Sequence, residues 1–69
     1  MRVSAPNQIK GIIVDIRKGV ITALVRLDIG GGVILTAAMT NEAVDALKLA
    51  ADQVAVAVIN ASDVIIGIA

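Results

Sequence analysis

The chain carries more apolar surface than a domain of its size can hide, and it lacks the usual means of compensating. Its 69 residues are 58% hydrophobic, yet none is cysteine, histidine, phenylalanine, tryptophan or tyrosine. A domain this short buries only roughly 60% of the surface it exposes when unfolded, so its private core is thin. Small folds ordinarily add disulfides, a structural metal or partner subunits. Without cysteines or a zinc-ligand set, self-association is the remedy left, because an apolar surplus exposed on a monomer favours aggregation. No apolar run reaches the ~20 residues of a membrane-spanning helix. Asp15, Arg17, Arg26, Asp28, Asp52 and Asp63 interrupt every long one. The first residues lack a signal peptide's apolar stretch, since Ser4, Asn7, Gln8 and Lys10 fall inside it. A soluble cytoplasmic protein with no membrane partner is expected, folded as a single domain over residues 1–69.

Six basic and six acidic residues cancel. A neutral chain lacks the basic surface that supplies non-specific affinity for nucleic acid, and without aromatic rings it offers bases no stacking platform. The absence of His and Cys removes the commonest general base, the thiolate nucleophile and the soft metal ligands. No direct metal-cation ligands are therefore expected, and Met39 reads as core filling. Lys10, Arg17, Lys18 and Arg26 read as solvated strand and turn residues. Asp15 and Asp28 stand beside Arg17 and Arg26 on strand faces, where cross-strand ion pairs account for them better than an acid–base couple. An enzyme is not expected.

Hydrophobic period gives the elements. Around residues 9–16, Ile12, Val14 and Ile16 share one face and Ile13, Asp15 and Arg17 the other, a strand pattern. Gly11 reads as a bend or bulge near its start, and Lys18-Gly19 as a tight turn with Gly19 at positive φ. A second strand follows over residues 20–29, with Ala23, Val25, Leu27 and Ile29 on the core face. Gly30-Gly31-Gly32 reads as a loose hairpin connection, since no Gly-Lys-Ser/Thr follows to make a phosphate cradle. A third strand spans residues 33–39. From Thr40 to Leu49 the period lengthens, with Ala43, Val44 and Leu47 on one side. Thr40 is the natural N-cap, and Glu42 lies in the first turn where the helix dipole favours it. Residues 53–59 and 63–68 supply two last strands. In the first of these Val54, Val56 and Val58 oppose Ala55, Ala57 and Ile59, so both faces are apolar, as at a subunit contact. The order matches an all-β fold with one short helix: a five-stranded OB-type barrel, the helix between strands three and four.

The stretch Ser4-Ala5-Pro6-Asn7-Gln8-Ile9-Lys10-Gly11 resembles the opening signature of the molbindin family, the small molybdate- and tungstate-binding proteins also called Mop or TOBE domains. That signature runs Ser-Ala-Arg-Asn-Gln, two further positions and Gly. Lys18-Gly19-Val20-Ile21-Thr22-Ala23 is similar to the family's first hairpin and Gly30-Gly31-Gly32 to its second turn. Residues from Ile59 to Ile66 resemble its C-terminal Lys-Ala-Ser/Thr-x-Val segment. The resemblance covers essentially the whole chain. It implies a TOBE/molbindin-like barrel that binds molybdate or tungstate, with no organic cofactor, for intracellular molybdenum storage. It also implies a homohexamer, a trimer of dimers, with anions in the subunit interfaces.

By the same resemblance, oxyanion donors come from three places in different subunits, and the positions matching them are Ser4, Asn7, Thr40, Ala43, Asn60, Ala61 and Ser62. The family's arginine is here Pro6, its helix-start serine Ala43 and its lysine Asn60. Both cations are gone, and proline removes a backbone donor as well. A tetrahedral dianion offers only acceptors, so hydroxyls, amides and backbone N–H groups must serve, including those at the helix start around Glu42 and Ala43. Weakened binding is expected. The alternative is a structural or interaction module with a degraded pocket, or a binder of another small ligand. Thr40 would then only cap its helix and Ser4 only satisfy a strand end.

Overall fold

The structure, a computed structural model, describes residues 5–68. Its elements are β1 (Asn7–Lys18), β2 (Thr22–Asp28), β3 (Ile34–Thr40), α1 (Asn41–Leu47), β4 (Val54–Ile59) and a 3-10 turn at Ala61–Asp63. The strands make one antiparallel sheet in the order β3-β2-β1-β4, curled into a half-barrel. The long first strand holds it together by changing partners along its length. Asn7 to Ile12 pair with Ile59 to Val54 of β4, while Ile12 to Lys18 pair with Asp28 to Ala23 of β2. At the changeover Ile13 is tied to the α1–β4 connection, its N–H donating to Gln53 O at 2.9 Å and its carbonyl accepting from Asp52 N at 2.8 Å.

The alternation expected in β2 is observed: Ala23, Val25 and Leu27 are buried. They form the core with Ile13 and Val44, and Ile16, Ile29, Leu35, Met39, Leu49, Ala55 and Ala57 pack around them. Helix α1 is shorter than the pattern suggested and buries Val44, while Leu47 stays exposed. In β4 the valines face outward and the alanines inward, and both faces are apolar as expected.

Three expectations are corrected. The faces of β1 are not those of a regular alternation. The register shifts between Ile13 and Asp15, so Ile13 is buried while Ile12 and Val14 are exposed, and Ile16 returns to the inner side. A bulge inserts one residue and flips every side chain beyond it; it falls at Val14, not near Gly11. Gly19, second, is not among the positive-φ glycines, which are Gly30, Gly31 and Gly32. Its small size matters through crowding instead, a Cβ there lying 2.9 Å from Thr22 O.

Third, residues 63–68 do not form a fifth strand within the chain. After the 3-10 turn Val64 is extended, but no described strand pairs with this segment. Ile65 is 93% and Ile68 99% exposed. A strand exists only with a ladder partner, and alternation in sequence does not supply one. The half-barrel consequently stays open beside β3 and β4. An apolar groove of about 180 Å³ there is lined by residues including Leu35, Met39, Leu47, Leu49 and Ala57.

On the outer face Arg26 grips Asp15 with two hydrogen bonds, Nε to Oδ1 at 2.8 Å and Nη2 to Oδ2 at 2.5 Å. The expected cross-strand pairing thus exists, with Arg26 engaged and not simply solvated. Asp28 Oδ1 instead accepts from Gly30 N at 2.9 Å, closing the glycine turn.

Two predictions follow from this geometry. A Cβ on Gly11 would lie 2.6 Å from Asp28 O and 2.8 Å from Leu27 Cγ, because β2 crosses directly over it. Gly11→Ala is expected to cost about 1–3 kcal/mol through overpacking, read as a lower denaturant midpoint; an unchanged midpoint would contradict the close crossing. The hydrogen bonds from Arg26 also hold the Asp15 carboxyl below its ordinary range, against a smaller opposing effect of desolvation. A depressed folded value means the pair's stabilisation is complete above the unfolded value of about 3.9, and is lost as pH falls through the lower folded one. Asp15→Asn should therefore show a shallower loss of stability on acidification. An NMR titration placing the Asp15 midpoint at or above ~3.9 would refute this.

Candidate functional site

The described candidate donors lie at or shortly after the ends of strands. Asn7 opens β1 and is half-buried, paired with Ile59 at the close of β4. Asn60 therefore follows at the same end. It caps the 3-10 turn, its carbonyl accepting from Asp63 N at 3.0 Å, while its side chain makes no capping hydrogen bond. Ala61 and Ser62 form the turn and are exposed, and Pro6 is exposed beside Asn7. Ser4 lies outside the described residues.

Thr40 and Ala43 sit elsewhere. Thr40 ends β3 opposite Thr22, next to the pair formed by Lys18 and Ala23. That is the far end of β1 from Asn7. The two groups stand at opposite ends of a twelve-residue strand, which at about 3.3 Å per residue is far beyond the span of a single small anion. One copy of the chain brings Asn7 together with Asn60, and Thr40 together with Ala43. It does not bring the two groups to each other.

The chemistry at the helix start is also partly committed. Ala43 N donates to Thr40 Oγ1 at 3.0 Å and Asn41 N to Ile21 O at 2.7 Å. These two leading N–H groups therefore do not point free toward an anion, contrary to the sequence expectation for Ala43. The Thr40 hydroxyl, used as an acceptor by the cap, still has its own proton to donate. Thr40 is thus the N-cap the sequence indicated, and capping does not exhaust it.

Asn41 escaped the sequence reading. Its Nδ2 donates to Gly19 O at 2.9 Å and to Val20 O at 3.3 Å, binding the β1–β2 connection to the helix. A polar residue directly after an N-cap threonine was the available signal, but its partners are more than twenty positions away in sequence. Lys18 adds an ion pair to Asp45 nearby. Among the described residues no cluster of three or more His, Cys, Asp or Glu side chains could hold a metal ion, and no helix is long and apolar enough to cross a membrane.

Comparison with known proteins gives the geometry a context. Residues 3–66 match the family model described as the TOBE domain. The chain is 41% identical over 68 residues to a probable molybdenum-pterin-binding protein of Haemophilus influenzae, covering 99% of each. Its fold is similar to that of MopII from Clostridium pasteurianum, with a TM-score of 0.91 and 37% identity, covering 97% of this chain and 100% of that one. A molybdate-binding protein from Sporomusa ovata is similar with a TM-score of 0.88 and 27% identity, covering 96% and 97%.

The capping bond offers a direct check. Thr40→Ala is expected to cost about 1 kcal/mol, whereas Thr40→Ser should retain most of the stability. Equal thermal midpoints for parent and alanine variant would show that the cap contributes nothing.

Proposed function

The chain belongs to the TOBE-domain family, the molbindins, and on that premise we propose that it binds molybdate at contacts between copies of itself. The carrying observation is the division of the candidate donors between opposite ends of β1. Asn7, Asn60, Ala61 and Ser62 form one half-site and Thr40 with Ala43 the other, so a complete ring of donors needs two copies. Tungstate, with the same shape and charge, is the natural second ligand. Storage of the oxyanion in the cytoplasm is the role this serves.

Self-association has its own support. The aliphatic segment 64–68 is exposed and the groove beside β3 and β4 is apolar and open. Aliphatic side chains of one copy and an aliphatic groove of another are complementary in chemistry, and their burial is favourable by about 25 cal/mol per Å². A homohexamer built as a trimer of dimers accommodates both this contact and the composite anion sites.

Binding is weak in this reading. Hydrogen bonds to a charged group contribute roughly 1.5–3 kcal/mol each, and Pro6 and Asn60 stand where the family pattern has Arg and Lys. Titration calorimetry with molybdate, tungstate and sulfate tests the proposal, and the variant combining Pro6→Arg with Asn60→Lys should bind molybdate at least about tenfold more tightly. The commitment of the Asn41 and Ala43 N–H groups favours a second reading, an interaction module whose pocket has degraded. No heat from the parent at millimolar oxyanion, with heat from the double variant, would select that second reading.

A further inference from the structure

Thr22 opens β2 directly opposite Thr40, the last residue of β3. Their neighbours Ala23 and Met39 also face each other, Ala23 in the core and Met39 packed against it. Side chains alternate between the two faces of a sheet, so both threonines project from the outer one. Residues directly opposite on neighbouring strands have Cβ atoms about 4.5–5.5 Å apart. The register therefore sets two hydroxyl groups side by side, and both residues are exposed.

Neither hydroxyl proton is spent among the described residues. Thr40 Oγ1 accepts from Ala43 N, which uses the oxygen and leaves the proton. Facing threonines can bond to each other across strands, but here Thr22 makes no side-chain hydrogen bond within the described residues. Its backbone is held still. Strand β2 is paired on both sides. Thr22 O accepts from Gly19 N at 2.8 Å, and the carbonyl before it, Ile21 O, accepts from Asn41 N at 2.7 Å. A β-branched side chain on a fixed backbone has little rotamer freedom to lose on binding. Two adjacent donors on a rigid base suit two oxygens of one tetrahedral anion, and the leading N–H groups of α1 play no part in this.

We propose that Thr22 is a further oxyanion-binding residue, donating its hydroxyl proton to the same molybdate that Thr40 contacts. The assignment rests on the oxyanion reading above and deepens it. With the Ala43 N–H engaged by the cap, a half-site of one hydroxyl becomes a half-site of two, at a spacing fixed by the sheet ladder. Thr22 is not among the positions that the family resemblance marks as donors; it enters through register alone. Hydrogen bonds to a charged group are stronger than neutral ones, so a second hydroxyl partly offsets the cations that Pro6 and Asn60 withhold.

Thr22→Val removes the hydroxyl while keeping the β-branched shape and every backbone hydrogen bond, and Thr22→Ser keeps the hydroxyl. Far-UV circular dichroism and mass in solution check fold and assembly, with Thr22→Ala replacing Thr22→Val if the latter misfolds. Molybdate is titrated calorimetrically into the parent and both variants. Thr22→Val should bind at least about tenfold more weakly than the parent, and Thr22→Ser should keep most of the affinity. Equal affinities for parent and Thr22→Val overturn the assignment and leave the oxyanion reading standing. A loss shared by Thr22→Ser, or one accompanied by a smaller mass, overturns it too, since either traces to packing and not to the hydroxyl. If the parent gives no heat, Thr22→Val is introduced into the variant carrying Pro6→Arg and Asn60→Lys, where the same loss is required. Heat from neither the parent nor that variant overturns this assignment and the oxyanion reading together.

Discussion

The double pairing of β1 is the constraint on which the remaining structure depends. Ile12 faces Val54 of β4 and Asp28 of β2, and on either side of it the strand belongs to one neighbour or the other. This is possible because β1 bends at its changeover. The bulge at Val14 re-aims the side chains, Gly11 lets β2 cross close above, and the backbone of Ile13 is satisfied by Asp52 and Gln53. Curling follows from the same features, and it brings Ala55 and Ala57 of β4 to the margin of the core that Ile13 forms with β2 and α1. Flattening β1 would carry Ala55 and Ala57 of β4 away from the core and leave Val44 of α1 without the concave surface it covers.

Local chemistry was readable wherever it was decided locally. Thr40 caps its helix because a hydroxyl three positions before an N–H satisfies it wherever the chain turns helical. The alternation of Ala23, Val25 and Leu27 survives because β2 is paired on both sides and has no room to slip. What the sequence hid was set at a distance. Nothing around Val14 announces a register shift, since Ile12, Val14 and Ile16 make an apolar alternation that is regular on paper. The bulge is imposed by neighbouring strands. Residues 63–68 likewise have the composition of a strand, but their ladder partner is not provided by the fold of one chain.

The candidate site shows the same division. The types of its residues were legible, and their distribution between two ends was not, because it depends on which strands lie side by side. Register places Asn7 opposite Ile59, the residue before Asn60, and Thr22 opposite Thr40. The helix start was expected to present free N–H groups, yet Asn41 and Ala43 use theirs within the chain. A helix of seven residues has few such groups to spare. In the proposed site, neutral side-chain donors then carry more of the recognition, and its composition, hydroxyl and amide without a cation, follows from Pro6 and Asn60.

For the composite site proposed above, the separation of Asn7 from Thr40 along β1 has a thermodynamic consequence. When the halves of a pocket belong to different molecules, ligand and neighbour stabilise each other by the same free energy, whichever arrives first. Occupancy then rises with the abundance of the protein as well as with that of the anion, and dilution empties the pocket without unfolding anything. Cargo could be discharged by turning over the carrier, with no moving lid.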